Sequence, residues 1–146
     1  MAFTGNYTCN VFRTGLLDGV YNFGAGTTDV FRIALYTNAA TLDASTTAYT
    51  STGEVVASGY TAGGEVLVIN QVPTTGNAPN TTAYISFANA SWSGAFTARG
   101  ALIYKDNGTT NPAVCVLDFG ADKTSVNTFV VQFPAATDTT AIIRIA

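Results

Sequence analysis

The chain has 146 residues and a formal net charge of −3; only 10% of its residues are charged, whereas 47% are hydrophobic. A chain of this length is expected to form one domain, over residues 1–146, that buries roughly 68–70% of the surface its unfolded state exposes. The six Lys and Arg residues are scattered, which excludes a basic patch and with it nucleic acid as an expected partner. No apolar stretch approaches the roughly 20 residues that span a bilayer, so no membrane partner is expected.

The composition also limits the kinds of catalytic site that the chain could form. The chain has no His, which removes Ser/His and Cys/His nucleophilic pairs and the commonest metal ligand. Residues 24–26, GAG, are followed by TTD and do not form a phosphate-binding loop pattern. The loop carboxylates Asp43, Asp106 and Asp122 lack the spacing of a calcium-binding EF-hand. We therefore expect no catalytic residue, no cofactor and no metal site, and predict that the protein is not an enzyme.

The first ten residues, MAFTGNYTCN, are polar and predict an arm lying on the surface. They contain no basic region followed by an apolar run, so we expect no signal peptide and synthesis in the cytoplasm. Apolar residues then recur at helical spacing and predict one amphipathic helix from about Thr8 to Val20. The two cysteines, Cys9 and Cys115, have neighbours that favour free thiols over a disulfide.

The first predicted strand covers residues 29–37, DVFRIALYT, in which apolar side chains alternate. Residues 38–64 follow, almost devoid of large aliphatic side chains and far longer than the usual connection of about 4–6 residues. We predict a long projecting loop here. Its aromatic residues, Tyr49 and Tyr60, either contact a partner or pin the loop to its own domain.

Further strands are predicted at residues 65–72, 83–87, 129–133 and 141–145. The first of these is apolar on both faces, which indicates a buried position or a subunit contact. Trp92 is predicted to pack beneath the sheet, the alternative being a role in stacking on a ligand.

The clearest pattern is the stretch Ala95–Gly120, AFTARGALIYKDNGTTNPAVCVLDFG, which alternates, turns at DNG and alternates again. It predicts a hairpin of two long strands with an irregular loop. Asp118 is expected to be solvated or to pair with Arg99 across the hairpin. A third interpretation is that Asp118 is one of two catalytic carboxylates, as in a glycosidase.

These elements amount to about seven or eight strands and one short N-terminal helix. No helix alternates with strands, which excludes a parallel α/β sheet and predicts an all-β, antiparallel sandwich or jelly-roll-like fold. The weakly charged, Thr-rich surface indicates either surface covered in an assembly or simply a β-rich chain.

Several segments resemble a family of small virion proteins of tailed bacteriophages. The segments that carry the resemblance are FRIALYT (31–37), LDASTTAYTSTGEVVASGYTAGG (42–64), ARGALIYKD (98–106), AVCVLDFGADK (113–123), FVVQFP (129–134) and AIIRI (141–145). The family is similar to cement or decoration proteins with jelly-roll-like cores. The resemblance implies a non-enzymatic clamp, present in many copies on the exterior of the virion capsid, where it stabilises the head.

The partners that this resemblance implies are the phage major capsid protein, at joints between its subunits, and neighbouring copies of the chain in dimers or trimers. The candidate interface residues are Phe3 and Tyr7 in the predicted arm and Tyr49 and Tyr60 in the predicted loop. The alternative is a tail or head-fibre component that binds a glycan or another protein, because the same sandwich serves both roles.

Overall fold

The computed structural model describes residues 3–76, 79 and 81–146. Within these residues it contains one helix and ten strands. In chain order they are β1 (Tyr7–Thr8), α1 (Asn10–Leu17), β2 (Val30–Tyr36), β3 (Glu65–Leu67), β4 (Ile69–Thr75), β5 (Ala83–Phe87), β6 (Ala90–Ser93), β7 (Thr97–Asp106), β8 (Ala113–Thr124), β9 (Thr128–Val131) and β10 (Ile143–Ile145). The prediction of an all-β fold with a short N-terminal helix is confirmed. No helix in the described ranges has the length and apolar character needed to cross a bilayer.

The strands form three antiparallel sheets. The largest has the order β1-β8-β7-β2-β3, and the other two are β10-β5-β4 and β6-β9. At its centre β2 pairs with β7 without interruption, from Val30 opposite Asp106 to Tyr36 opposite Gly100. The predicted hairpin is present as β7 and β8, which pair with two irregularities in register.

The inner face of the five-stranded sheet packs against the two smaller sheets, which makes the molecule a sandwich. The Phe31 ring on β2 stacks on Phe23 at 4.3 Å between centroids and lies 6.3 Å from Phe87 on β5. Trp92 on β6 is buried and meets Phe129 on β9 edge to face at 6.2 Å. The packing role predicted for Trp92 is therefore confirmed. Aromatic rings supply much of this core because each ring buries a large apolar area.

The outer face of the five-stranded sheet is also covered. Residues 38–64, which we call the capping segment, lie along this face instead of projecting from the molecule. Ala40, Leu42 and Val55 of the segment are buried, and the Tyr49 ring stacks on Tyr104 of β7 at 4.8 Å. The predicted projecting loop is therefore wrong, because the segment attaches through tyrosines and backbone hydrogen bonds where aliphatic side chains are lacking.

Residues 3–10 are likewise attached to the sheet and do not form the predicted surface arm, whose residues 1 and 2 lie outside the described residues. Tyr7 and Thr8 pair with Val116 and Cys115 at the edge of β8. Phe3 is only 1% exposed. Its ring lies over Gly100, where a Cβ atom would collide with it, so only glycine leaves room for the ring.

Arg99 also lies over the Phe3 ring, with its guanidinium carbon 5.9 Å from the ring centroid. Arg99 also forms an ion pair with Asp118. The predicted pairing across the hairpin is therefore confirmed, and Arg99 is buried. The backbone N–H of Asp118 donates to Asn6 Oδ1 at 2.7 Å, which ties the N-terminal residues to the same place.

Two other predicted elements differ in their boundaries. Helix α1 ends at Leu17, earlier than predicted, because Gly19 adopts a left-handed conformation with φ +70° and Val20 N–H donates to Gly15 O at 2.8 Å. The strand predicted at 65–72 is divided into β3 and β4. Val66 and Val68 are 50% and 63% exposed there, so the buried position is wrong and the subunit contact stays a prediction.

The buried position of Phe3 leads to a prediction on stability. Phe3→Ala should lower the free energy of unfolding by about 3 kcal/mol, because it removes a buried ring and leaves a cavity over Gly100. Denaturant unfolding measures the difference. Thr4→Ala is the matched control, since Thr4 is exposed and the change should have little effect. A loss below about 1 kcal/mol for Phe3→Ala would mean that the N-terminal residues are not docked in solution.

Candidate interaction surface

The structure places the four candidate interface residues in two groups. Phe3 is buried under Arg99 and has no surface to offer a partner, which removes it from the candidates. Tyr7 is half-buried in β1, with its hydroxyl 2.7 Å from Thr4 Oγ1. Tyr49 and Tyr60 are brought together in the capping segment, where both are half-buried. Both hydroxyls are directed at a residue that the sequence did not single out, Glu54.

Glu54 is 6% exposed and accepts three hydrogen bonds. Tyr49 Oη donates to Oε2 at 2.6 Å, and Tyr60 Oη donates to Oε1 at 2.6 Å. The backbone N–H of Gly63 also donates to Oε1, at 2.7 Å. We call these four residues the Glu54 cluster. Hydrogen bonds to a charged acceptor are stronger than those between neutral groups, so the cluster closes the capping segment on itself.

No cation neutralises this carboxylate among the described residues. The three ion pairs found there join Arg32 to Asp106, Lys105 to Asp29 and Arg99 to Asp118. A buried charge without an ionic partner is unfavourable unless its hydrogen-bonding capacity is filled. The two hydroxyls and the backbone N–H are therefore what makes burial of Glu54 possible.

The Glu54 cluster is also attached to the five-stranded sheet. Tyr60 Oη accepts a hydrogen bond from the backbone N–H of Leu35 on β2 at 2.9 Å. Tyr104 Oη on β7 donates to Gly63 O at 2.8 Å.

Two further hydrogen bonds attach the capping segment to the same sheet. Arg32 Nη1 donates to Gly64 O at 3.0 Å, and Tyr36 Oη donates to Thr50 O at 2.6 Å. The conformation of the capping segment and its position on the sheet thus depend on the same few groups.

Burial raises the pKa of several acidic side chains. The pKa values of Tyr49 and Tyr60 are raised, first by burial and then by hydrogen bonding to Glu54. Burial raises the pKa of Tyr21 and of Tyr104 to about 12. Burial, with a smaller effect of Asp43, raises the pKa of Cys9 to about 11. The phenols of the capping segment therefore remain protonated donors at neutral pH.

Both cysteines are free and buried, as predicted. Burial is the main cause of the raised pKa of Cys115, and Cys9 contributes to it. A thiol in this environment is protonated at neutral pH and is a poor nucleophile. Within residues 3–76, 79 and 81–146 no group of three His, Cys, Asp or Glu side chains is placed to hold a metal ion.

An apolar groove of about 300 Å³ lies between helix α1 and the β10-β5-β4 sheet. Its lining includes Phe12 and Leu16 of the helix, Tyr84 of β5, and Ile143 and Ile145 of β10. No charged side chain lines it, and the Glu54 cluster is not part of it. The groove therefore lacks the convergent polar groups that orient a substrate in most ligand sites.

The outer surface of the capping segment is exposed, and Asp43 is the one partly exposed charged side chain among its described residues. Its exposed side chains are Asn38, Ala39, Thr41, Ser45, Thr47, Ser51, Thr52, Val56, Ser58, Thr61 and Ala62. Its two carboxylates are the buried Glu54 and the half-buried Asp43. The structure therefore shows that Tyr49 and Tyr60 attach the segment to its own domain, while its fully exposed side chains are small and uncharged.

The sequence contained a weak signal for Glu54. It is one of only two acidic residues in the 27 positions of the capping segment, and Val55 and Val56 follow it directly. An acidic side chain within an apolar stretch indicates burial with hydrogen-bond donors nearby. The identity of those donors depends on the path of the chain around Glu54, which the sequence pattern does not give.

No protein-family model matches this chain, and comparisons with curated proteins and with solved structures also find no match. The resemblance to phage virion proteins therefore stays a prediction that depends on the sequence motifs.

The Glu54 cluster predicts the effect of removing one hydroxyl. Tyr49→Phe and Tyr60→Phe should each lower the free energy of unfolding by about 1.5–3 kcal/mol, because each leaves a buried carboxylate with one donor fewer. Tyr84→Phe is the matched control, since this hydroxyl lies at the apolar groove, outside the cluster. Denaturant unfolding measures the free energy of unfolding of the three variants. Equal stabilities would show that the carboxylate is satisfied by water in solution.

The raised pKa values predict a loss of stability at alkaline pH. The folded chain favours the protonated forms of the Cys9 thiol and of the Tyr21 and Tyr104 phenols. As the pH rises, the unfolded chain therefore releases these protons at a lower pH than the folded chain does. The stability they contribute is complete below about pH 9, the ordinary thiol pKa, and is lost as the pH rises through about 11 to 12.

Urea unfolding between about pH 8 and pH 11 measures this loss, and near-ultraviolet absorbance of tyrosinate follows the phenols directly. At about pH 11 the folded protein should show less tyrosinate than the same protein in urea. Equal absorbance in the two states would contradict the burial of these phenols.

Proposed function

We propose that this protein is a non-enzymatic component of a tailed-phage virion. It binds the outer capsid surface between subunits of the major capsid protein and stabilises the head. The order of sequence motifs from residue 31 to residue 145 suggests this role. The structural observation that supports it best is the outer surface of the capping segment, whose fully exposed side chains are small and uncharged and which the Glu54 cluster holds on the sandwich.

This surface suits a protein partner for an energetic reason. Burying an unpaired charge at an interface is costly by several kcal/mol, and the fully buried centres of protein interfaces are depleted in charged residues. Small hydroxyl-bearing and apolar side chains lose little on desolvation when they are placed against a similar surface. The low charge of the whole chain, 10% of residues, agrees with a surface that is covered in an assembly.

Binding at many equivalent joints would supply the rest of the affinity for the capsid. A capsid presents many symmetry-related copies of each joint, so modest binding at one joint is multiplied over the lattice. Contacts between neighbouring copies of the chain, in dimers or trimers, would add to it. The exposed Val66 and Val68 beside the edge strand β3 are available for such contacts.

The experiment that tests the proposed function uses heads of a phage in which the gene for this chain is disrupted. Adding the purified protein should raise the temperature at which these heads release DNA, as followed with a DNA-binding dye. Heads with and without the protein that release DNA at the same temperature would contradict the proposal.

Counting the copies in wild-type particles by quantitative mass spectrometry separates the proposal from its competitor. A capsid protein should be present in on the order of hundreds of copies, because the joints repeat over the lattice. About a dozen copies or fewer would indicate a component of the tail or of a head fibre.

A further inference from the structure

A groove of about 410 Å³ lies between the end of strand β8 and strand β9. Phe119, Lys123 and Thr124 of β8 line one side of it, and Thr128 and Val130 of β9 line the other. Only residues 125–127 join the two strands, yet the strands do not pair, because β8 lies in the five-stranded sheet and β9 in the β6-β9 sheet. No residue of β6 lines the groove. The edge of β9 that faces the groove is therefore its free edge, the one opposite β6.

Ser125 is the residue that separates the two strands. Its backbone N–H donates to Phe96 O at 2.9 Å, and its hydroxyl donates to Gly94 O at 2.7 Å. Both acceptors lie between β6 and β7, so the connection is attached there and β9 begins beside β6 instead of beside β8. A connection of three residues usually closes a hairpin. Here the contacts of Ser125 hold the hairpin open.

The free edge of β9 differs from the other free edges of the described sheets. Proteins protect a free edge by making it very short, by covering it, or by placing a charge, a proline or a bulge on it. Strands β1, β3 and β10 have only two or three residues, and β4 carries Pro73 and two irregularities in register. Strand β6 is in contact with Gly59 of the capping segment, which lies against Ser93 O. Strand β9 has four residues, TFVV, in regular register with β6 and without charge or proline.

The backbone of β9 offers hydrogen-bonding groups to the groove. Alternate residues of a strand direct their N–H and C=O groups to the same side, and the residues between them direct theirs to the other side. Just after β9, the N–H of Phe133 donates to Asn89 Oδ1 beside β6, at 2.9 Å. The alternation therefore predicts that Val131 faces β6 as well, whereas Thr128 and Val130 direct their backbone groups into the groove. Only an extended backbone matches such a row of donors and acceptors.

The side chains of the groove add an apolar floor and one cation. The Phe119 ring is half-buried and lies 6.1 Å from the Phe129 ring between centroids, and Val130 is 47% exposed. Lys123 is exposed and takes part in none of the three ion pairs of the described residues, and its neighbour Asp122 does not line the groove. A complementary segment is therefore apolar with one acidic residue.

We propose that this groove binds an extended segment of a partner protein, which adds a strand to the free edge of β9. The segment pairs with the backbone of Thr128 and Val130, places apolar side chains over Phe119 and directs a carboxylate at Lys123. A second folded copy of this chain is a poorer occupant, because its own β9 is flanked by its β8 and it would bring another Lys123 to the site. The inference rests on the proposed function only for the identity of the partner, which is then the major capsid protein.

Amide hydrogen exchange of the free protein, followed by NMR, tests whether the edge is open. The N–H of Val131 should be protected by its bond to β6, and the N–H groups of Thr128 and Val130 should exchange at least about tenfold faster. Equal protection of the three amides would show that the edge is closed and would overturn the inference, whatever the protein binds.

Sedimentation with phage heads that lack the protein tests the docking. Val130→Pro removes an N–H that faces the groove and keeps the pairing with β6, so binding should weaken roughly tenfold, as expected for about one lost hydrogen bond. Val130→Thr is the matched control, because it keeps the N–H and the preference for a strand and should bind like the wild type. Lys123→Glu should also weaken binding, and more strongly at low salt. Unchanged binding of Lys123→Glu would overturn the acidic residue of the segment.

If Val130→Pro fails to fold, Thr128→Pro replaces it, because proline is tolerated at the first residue of a strand. Wild-type binding that the proline variant does not weaken overturns the groove as the docking site and leaves the proposed function standing. Dimers of the free wild-type protein that the proline variant abolishes would identify a second copy as the occupant and overturn the inference. Wild-type protein that does not bind the heads overturns the proposed function and the capsid protein as the occupant, while the exchange data still decide whether the edge is open.

Discussion

The conformation of the capping segment depends on one buried carboxylate, that of Glu54. Glu54 carries a charge that no cation in the described chain neutralises, and two hydroxyls and a backbone N–H satisfy it. Such a group imposes order, because any conformation that separates it from its donors leaves a charge buried and unpaired. The 27-residue capping segment buries only a few aliphatic side chains, such as Leu42 and Val55, and the requirement of Glu54 for its donors adds to these apolar contacts.

The five-stranded sheet is covered on both faces, but by different kinds of contact. Its inner face packs against aromatic rings such as Phe31 and Phe87, where apolar area provides the stabilisation. Its outer face meets the capping segment through hydroxyl groups and one stacked ring pair, Tyr49 on Tyr104. The inner contacts tolerate small shifts because they are non-directional, whereas the outer contacts fix distances and angles. A sandwich with a directional outer layer suits a protein that presents a surface of constant shape.

Much of the fold could be predicted from the sequence because alternation of apolar residues is a local property. The β2 strand and the β7-β8 hairpin both follow from it. The errors concern residues whose partners are distant. Phe3 lies in a polar stretch, and nothing near it indicates that Gly100 leaves space for its ring. Glu54 and Tyr60 meet only after the chain has turned, so the sequence pattern left open whether the tyrosines contact a partner or pin the segment, and the contacts with Glu54 were not predicted.

Closure of the sheet edge by the N-terminal residues has a consequence for how the chain folds. The bond from Asp118 N–H to Asn6 Oδ1 joins residues that are 112 positions apart. Contacts of such long range form slowly, since a large loop must close first. During synthesis, the first residues of the chain must wait until the β7-β8 hairpin has left the ribosome. Until then Tyr7 and Thr8 have no strand to pair with, so the edge strand that they form is completed only after nearly the whole chain has been made.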